Sequence, residues 1–161
     1  MTGKVFDEEN RIKYVNTLEK YVFGGKGKID LVAPSGTSHQ YSFEVPKDPK
    51  FPGDVRFVYA LHEGKKFYLG MIEHRHFRLT SHSRFDKAHD VVKGAYYIVD
   101  KVNNAIILER LPMKFYHDGR CAMCGREFKV SKYKKIGLGK KCLKRYEELV
   151  VPYVGERTSD I

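Results

Sequence analysis

The sequence predicts an α+β protein, in which an antiparallel β-sheet with packed helices is followed by a small treble-clef-like zinc module. Three observations predict this arrangement. Apolar and polar residues alternate through the middle of the chain, which is typical of half-buried strands. Segments on either side carry apolar residues at three- to four-residue spacing, as amphipathic helices do. All three cysteines of the 161-residue chain lie within residues 121–142, and such clustering favours a metal site over a disulfide framework.

The first element is predicted to be a short amphipathic helix near the N-terminus. Acidic residues occupy positions 7–9, where they would stabilise the positive end of a helix dipole. The apolar stripe that follows consists of Ile12, Val15, Leu18 and Val22. A glycine cluster that begins at Gly24 ends the predicted helix.

A β-meander is predicted next. Five segments suit strands: GKIDLVA, QYSFEV, VRFVYAL, KFYLGMI and HFRLT. In the second of them, Tyr41, Phe43 and Val45 alternate with polar residues. Glu63-Gly64-Lys65 is predicted to form a hairpin turn between the third and fourth strands. The short connections favour antiparallel pairing.

Two further elements complete the predicted first domain. A helix is predicted over residues 86–102, where apolar residues form one stripe. A strand is predicted over 105–111, and Pro112 marks a boundary. We therefore expect an α+β domain at 1–112, a zinc-binding module at 113–150 and a tail at 151–161.

The cysteines have the spacing of a structural zinc site. Cys121 and Cys124 are separated by two residues and followed by glycine, so a tight turn can direct both thiolates at one ion. Cys142 follows a Gly-Leu-Gly turn and is predicted to lie at the start of a helix, where the dipole favours a thiolate. Two ligands on a turn and one at a helix start is the plan of a treble-clef-like finger. The alternative is three buried free cysteines without a metal.

A structural zinc ion takes four ligands, and the cysteines supply three. His117 lies four residues before Cys121 and is predicted to be the fourth ligand of a single structural Zn²⁺. Asp118 is the nearest alternative, followed by a water molecule or a histidine from the first domain. A site closed in this way leaves no position for an activated water.

The net charge of +10 is concentrated around the cysteines, because residues 120–145 hold ten Lys or Arg and one acid, Glu127. A patch this basic suggests an anionic partner such as nucleic acid. The predicted phosphate contacts are Arg120, Arg126, Lys129, Lys132, Lys134, Lys135, Lys140, Lys141, Lys144 and Arg145. Five aromatics lie among them and suit either base stacking or core packing: Phe115, Tyr116, Phe128, Tyr133 and Tyr146. The alternative is a solvated lysine surface without a partner.

The cysteine region resembles a small zinc-finger-like domain found in bacteriophage and bacterial proteins of unknown function. The matching residues are His117-Asp-Gly-Arg-Cys121-x-x-Cys124-Gly-Arg, followed by Gly-x-Gly-x-x-Cys142. Members of that family carry H-x-G-x-C-x-x-C-G-R and G-x-G-P-x-C, often after a β-rich segment like the one between residues 22 and 72. Lys140 replaces the usual proline, and the linker FKVSKYKK is unusually basic. The resemblance implies zinc and a phage context, and it implies no particular activity.

No convincing catalytic motif is found, so the chain is not predicted to be an enzyme. The best candidate is a helix face with His82, Asp86 and His89, which could bind a catalytic metal. A polar helix face is the alternative interpretation. The serines lack a nucleophile elbow, and the glycines after residue 23 are not followed by the Lys-Ser/Thr pair of a phosphate-binding loop.

The function predicted from the sequence is that of a zinc-binding, phage-encoded accessory protein whose basic C-terminal module binds DNA or RNA. The alternative is a protein-interaction module that binds a host factor and inhibits or redirects it. The chain has no apolar run of 18 residues and no charged-then-apolar leader. We therefore expect no membrane partner and a cytoplasmic location, in the host cell if the protein is phage-encoded.

Overall fold

A computed structural model of the protein describes residues 5–104 and 107–155. A six-stranded antiparallel sheet forms its centre, in the order β5-β4-β3-β2-β1-β6. The strands are β1 Lys26–Val32, β2 Ser38–Glu44, β3 Arg56–His62, β4 Lys65–Glu73, β5 His76–Arg78 and β6 Lys114–Tyr116. The predicted α+β class and antiparallel meander are confirmed, because β1 to β5 pair in chain order.

Two helices pack against the sheet, and three shorter ones lie in the C-terminal region. They are α1 Val15–Phe23, α2 Asp90–Asn104, α3 Ser131–Ile136, α4 Lys140–Leu149 and α5 Val151–Val154. Helix α1 packs against β1 and β2, helix α2 packs against β2 and β5, and the two helices contact each other. No helix in the described ranges is both long enough and apolar enough to span a bilayer.

The predicted N-terminal helix is present but begins at Val15, later than the acidic residues indicated. Those acids belong to a 3-10 turn, Glu8–Asn10, in which the side chain of Asp7 accepts a hydrogen bond from the Glu9 amide at 2.9 Å. The segment between turn and helix is held at the edge of the sheet. Arg11 is extended and forms an isolated antiparallel bridge with Tyr116, and the amide of Ile12 donates to the carbonyl of Phe115 at 2.8 Å.

Helix α2 begins at Asp90, four residues after the predicted start. Local side-chain hydrogen bonds fix this start: one holds a turn at residue 86, and one caps the helix at residue 89. The Asp86 carboxylate accepts from the Ala88 amide at 3.0 Å, and Nδ1 of His89 accepts from the Val91 amide at 3.2 Å. His82, Asp86 and His89 therefore precede the helix and do not share a helix face.

The strand predicted over 105–111 differs from the structure. Residues 105–106 lie outside the described residues, and Leu108–Arg110 form a 3-10 turn. The strand that joins the sheet edge is β6, which pairs antiparallel with β1. This pairing joins residues after the predicted boundary at 112 to the sheet of the first predicted domain.

One hydrophobic core runs through both predicted domains. It includes Leu18, Tyr21 and Ile29 together with Cys121 and Leu138. The predicted tail contributes as well, because Val154 of α5 is buried against the same core. The last described residue of this segment is residue 155, so the remainder of the predicted tail lies outside the described residues.

Candidate metal centre and basic surface

The first two cysteines lie on a tight turn at the end of a small hairpin. Residues Arg120 and Glu127 form an isolated antiparallel bridge, and the amide of Cys121 donates to the carbonyl of Arg126 at 2.9 Å. The chain turns between them with Gly125 at φ 79°, a conformation that favours glycine. The hairpin thus holds the side chains of Cys121 and Cys124 on one side of the turn.

Amide groups of the turn point at the sulfur of Cys121. The N–H groups of Met123 and Cys124 each lie 3.5 Å from this Sγ atom. Burial raises the pKa of the Cys121 thiol, but hydrogen bonds from the amides of Cys124, Gly139 and Met123 outweigh it, so the pKa lies below its ordinary value. Amides aimed in this way stabilise a thiolate, which is the form that binds metal.

Cys142 reaches the same place from the first turn of α4, which Gly139 precedes as the N-cap residue. Its Sγ atom and those of Cys121 and Cys124 all lie within 4.8 Å of one another. Three tetrahedral ligands about 2.3 Å from one ion would be about 3.8 Å apart. The group can therefore hold a metal ion. Within the described residues, no other set of three or more His, Cys, Asp or Glu side chains has this property.

The structure places His117 in a buried site of its own. Its Nδ1 accepts a hydrogen bond from the Gly119 amide at 2.9 Å, and its Nε2 lies 2.8 Å from the carbonyl oxygen of Lys134. The ring also stacks on Tyr21, with 4.8 Å between ring centroids. Burial lowers the pKa of His117 to about 4, so the imidazole is neutral and Nε2–H is the donor to Lys134.

This geometry does not bring His117 to the sulfurs, contrary to its predicted role as the fourth ligand. Both ring nitrogens are engaged by the backbone, and a metal bond would require one of these hydrogen bonds to break. Asp118, the alternative, lines the same surface cleft as Cys124. Burial raises the pKa of this carboxyl above its ordinary value, against the effect of the Arg120 amide. Neither side chain belongs to the group of three cysteines.

Helix α1, the glycines that follow it and strand β1 pack against the cysteine turn and hydrogen-bond to it. The carbonyl of Ala122 accepts from the Lys26 amide at 2.9 Å, and the Ala122 amide donates to the carbonyl of Gly137 at 2.9 Å. The hydroxyl of Tyr21 donates to the carbonyl of Arg120 at 2.6 Å. Gly24 also lies close to this turn, because an added Cβ would lie 2.6 Å from the Ala122 oxygen. Residues before position 30 therefore build the floor of the candidate metal centre.

Nine of the ten predicted phosphate contacts are exposed: Arg120, Arg126, Lys129, Lys132, Lys135, Lys140, Lys141, Lys144 and Arg145. The tenth, Lys134, is half-buried and pairs with Glu9 at 3.2 Å. Arg120 donates to the carbonyl of Gly125 at 3.2 Å. None of the nine exposed side chains makes an ion pair with an acidic side chain of the described residues. Their charge is thus directed to solvent.

The aromatics among these cations divide between core and surface. Phe115, Tyr116 and Tyr146 are buried, so they serve packing. Phe128 and Tyr133 are half-buried and stack on each other, with 6.3 Å between ring centroids. Only these two remain near the surface of the basic region.

Sequence reasoning missed three cations at the same site. Lys26, Lys28 and Lys47 line the cleft that also contains Cys124 and Arg145. They precede the first cysteine by more than 70 residues of chain, and the pairing of β1 with β2 brings the two lysines of β1 near Lys47, which follows β2. Lys26 and Lys28 had one signal in the sequence, the alternation of lysine with glycine and isoleucine in KGKI, which is typical of the exposed face of a strand, and Lys47 had none.

No protein-family model matches the chain, and no curated protein or solved structure matches it either. The resemblance of the cysteine region to a phage domain therefore stays a prediction. What the chain does is inferred from the chemistry of its own residues.

Proposed function

We propose that the protein binds one zinc ion through Cys121, Cys124 and Cys142, and that it binds nucleic acid through the basic surface around that ion. The observation that carries the proposal is the coincidence of the two features. A group of three sulfurs within 4.8 Å lies inside a segment whose exposed cations lack acidic partners among the described residues. We infer a treble-clef-like plan, in which the cysteine turn and the start of α4 hold the ion.

The choice of zinc follows from the donor set. Clustered thiolates on a rigid turn and a helix start favour a soft or borderline ion and a tetrahedral site. Asp118 or a water molecule completes the tetrahedron, since His117 is engaged elsewhere. The ion's role is structural: it ties the hairpin to α4, and the lysines of α3 and α4 then face solvent together.

The choice of nucleic acid follows from the surface charge. Side chains of Lys and Arg release counterions when they contact phosphates, and this supplies affinity without any base readout. Because the two surface aromatics, Phe128 and Tyr133, stack on each other, we expect backbone contacts to dominate over base stacking. Binding should therefore tolerate changes of sequence and weaken steeply with salt. The resemblance to a phage domain supports an accessory role in a phage-encoded system.

The proposal is tested by fluorescence anisotropy with labelled single-stranded and duplex oligonucleotides between 50 and 200 mM salt. With six or more phosphate contacts, affinity should fall by about 10³-fold or more over this range. A variant with Lys132, Lys135, Lys141 and Lys144 changed to glutamine should bind more weakly and with a shallower salt dependence. The matched control changes four lysines outside the region: Lys13, Lys65, Lys87 and Lys93.

The absence of binding to DNA and RNA at 50 mM salt would contradict the proposal. A pull-down from bacterial lysate, with and without nuclease, then identifies the alternative partner. A stoichiometric protein that survives nuclease and is lost with the four-lysine variant would show that the basic surface meets an acidic protein face instead.

A further inference from the structure

A cleft of about 830 Å³ lies between the sheet and the cysteine turn. One wall is formed by β1, β2 and the segment after β2, and the other by the hairpin and α4. Its cationic side chains are Lys26, Lys28, Lys47, Arg120 and Arg145. All five are exposed, and none of them forms an ion pair with a described acidic side chain. The cleft therefore concentrates positive charge in a concave site, which raises its attraction for anions.

Two acidic side chains also line the cleft, and one of them is already neutralised. Glu44 accepts two hydrogen bonds from Nζ of Lys66, at 3.0 and 2.9 Å, and one from the Ser42 hydroxyl at 3.1 Å. Lys66 is not part of the lining, so this pair removes the Glu44 charge without using a cleft cation. Asp118 is then the single acidic side chain of the lining that opposes five cations, and a zinc ion on the three thiolates would add a net charge of about −1. The cleft keeps a net positive charge.

The remaining lining indicates which part of a nucleic acid it would contact. No aromatic side chain is found among the described residues that line the cleft, so it offers no platform for base stacking. It contains instead Gly25 and Gly125, which are half-buried and carry no side chain, so a ligand can approach their backbone closely. A cationic pocket with accessible backbone and no aromatic ring suits a phosphate group rather than a base.

We propose that this cleft binds a backbone phosphate of the nucleic acid and extends the binding surface from the cysteine module onto the sheet. The inference rests on the proposed function and assigns it a specific contact site. Lys26, Lys28 and Lys47 supply the sheet side, and Arg120 and Arg145 supply the module side. Because the cysteine turn forms one wall, the bound metal ion also fixes the spacing between the two sets of cations.

The test compares two triple variants of the full-length, zinc-loaded protein. The cleft variant is Lys26→Gln, Lys28→Gln and Lys47→Gln, and the control is Lys13→Gln, Lys65→Gln and Lys87→Gln. The two remove the same charge from exposed positions, so long-range electrostatics are matched. Thermal melting of both variants checks that they fold. Affinity for labelled single-stranded and duplex oligonucleotides is then measured by anisotropy at several salt concentrations.

The cleft variant should bind at least tenfold more weakly at low salt. The magnitude of the slope of log affinity against log salt should decrease by about 2 to 3 in this variant, and the control should keep the wild-type slope within about 1. A loss confined to single strands or to duplex identifies which form supplies the phosphate. A second readout is the amide NMR spectrum. Inorganic pyrophosphate should shift the signals of Gly25, Lys28 and Gly125 in the wild type but not in the cleft variant.

If the cleft and control variants lose the same affinity while the wild type binds, the cleft is not the phosphate site and the proposed function still stands. Wild-type protein that binds no nucleic acid would overturn both. Pyrophosphate shifts that fall on α3 rather than on the cleft glycines would likewise place the phosphate site elsewhere.

Discussion

Cys142 approaches two other sulfurs, and this position makes its thiol difficult to ionise without a cation. Burial is the largest cause, and the neighbouring Cys121 and Cys124 add to it, so the pKa of Cys142 rises to about 12. Cys121 differs, because amide hydrogen bonds keep its pKa below the ordinary value. A bound metal ion would favour the thiolate of Cys142 over the thiol, since the thiolate is the form that binds metal.

Metal loading of the metal-free protein should therefore release protons, and the metal affinity should rise as pH rises from 6 to 8. The sign follows from the raised pKa of Cys142, because its proton must leave before the sulfur can bind. Isothermal titration calorimetry in buffers of different ionisation enthalpy measures the number of protons released. Equal heats in all buffers would contradict this account of the site.

The sequence alone could not distinguish two roles for His117, that of a metal ligand and that of a buried side chain bonded to the backbone. Its spacing from Cys121 suits a ligand, whereas the structure gives both ring nitrogens to the backbone of Gly119 and Lys134. His117→Ala should lower the free energy of unfolding by about 2–4 kcal/mol, because it removes the Tyr21 stack and leaves buried backbone groups unpaired. The zinc content of the folded variant should stay at one ion per chain.

Chemical denaturation and metal analysis check the two parts of this prediction. His117→Gln is the matched variant, because it keeps one donor and one acceptor and should lose less stability. If both variants fold but hold no zinc, His117 is a ligand after all.

At the scale of elements, the sequence pattern predicted the helices and strands whose formation depends on local periodicity. The alternation in β2 and the apolar stripe of α1 are properties of each segment alone, and both elements are present. Other elements depend on distant partners. Arg11 and Ile12 pair with β6 and do not join α1, and β6 forms because β1 offers a free edge. Neither partner can be read from a local window, and the same limitation hid Lys26, Lys28 and Lys47.

The end of α1 is the element on which the cysteine turn rests. Gly24→Ala would place a Cβ atom 2.6 Å from the Ala122 carbonyl oxygen, and rigid backbone cannot give way easily. We expect the free energy of unfolding to fall by about 1–3 kcal/mol and the zinc affinity to fall with it. Urea denaturation and a competition assay with a chelator measure these quantities.

Gly139→Ala is the control for this variant. An added Cβ at Gly139 would meet no atom within 4 Å, and its φ of −71° suits any residue. It should cost less than about 1 kcal/mol. If Gly24→Ala is as stable as Gly139→Ala, the packing of the end of α1 against the cysteine turn does not stabilise that turn.

At the scale of the molecule, the candidate metal centre is part of the core and not a separate appendage. Cys121, Cys142 and Leu138 belong to the same hydrophobic cluster as the residues under the sheet. The basic surface is likewise shared, because the cleft joins cations of β1 to those of the hairpin and α4. Metal binding, the stability of the fold and the shape of the proposed nucleic-acid surface should therefore change together.

The most direct test of this account is zinc K-edge X-ray absorption on protein purified without chelator. We expect one zinc ion per chain with three sulfur neighbours at about 2.3 Å, and a Cys124→Ser variant that is less stable and holds less zinc or none. Wild-type protein that is fully folded and contains no metal would contradict the proposed zinc site.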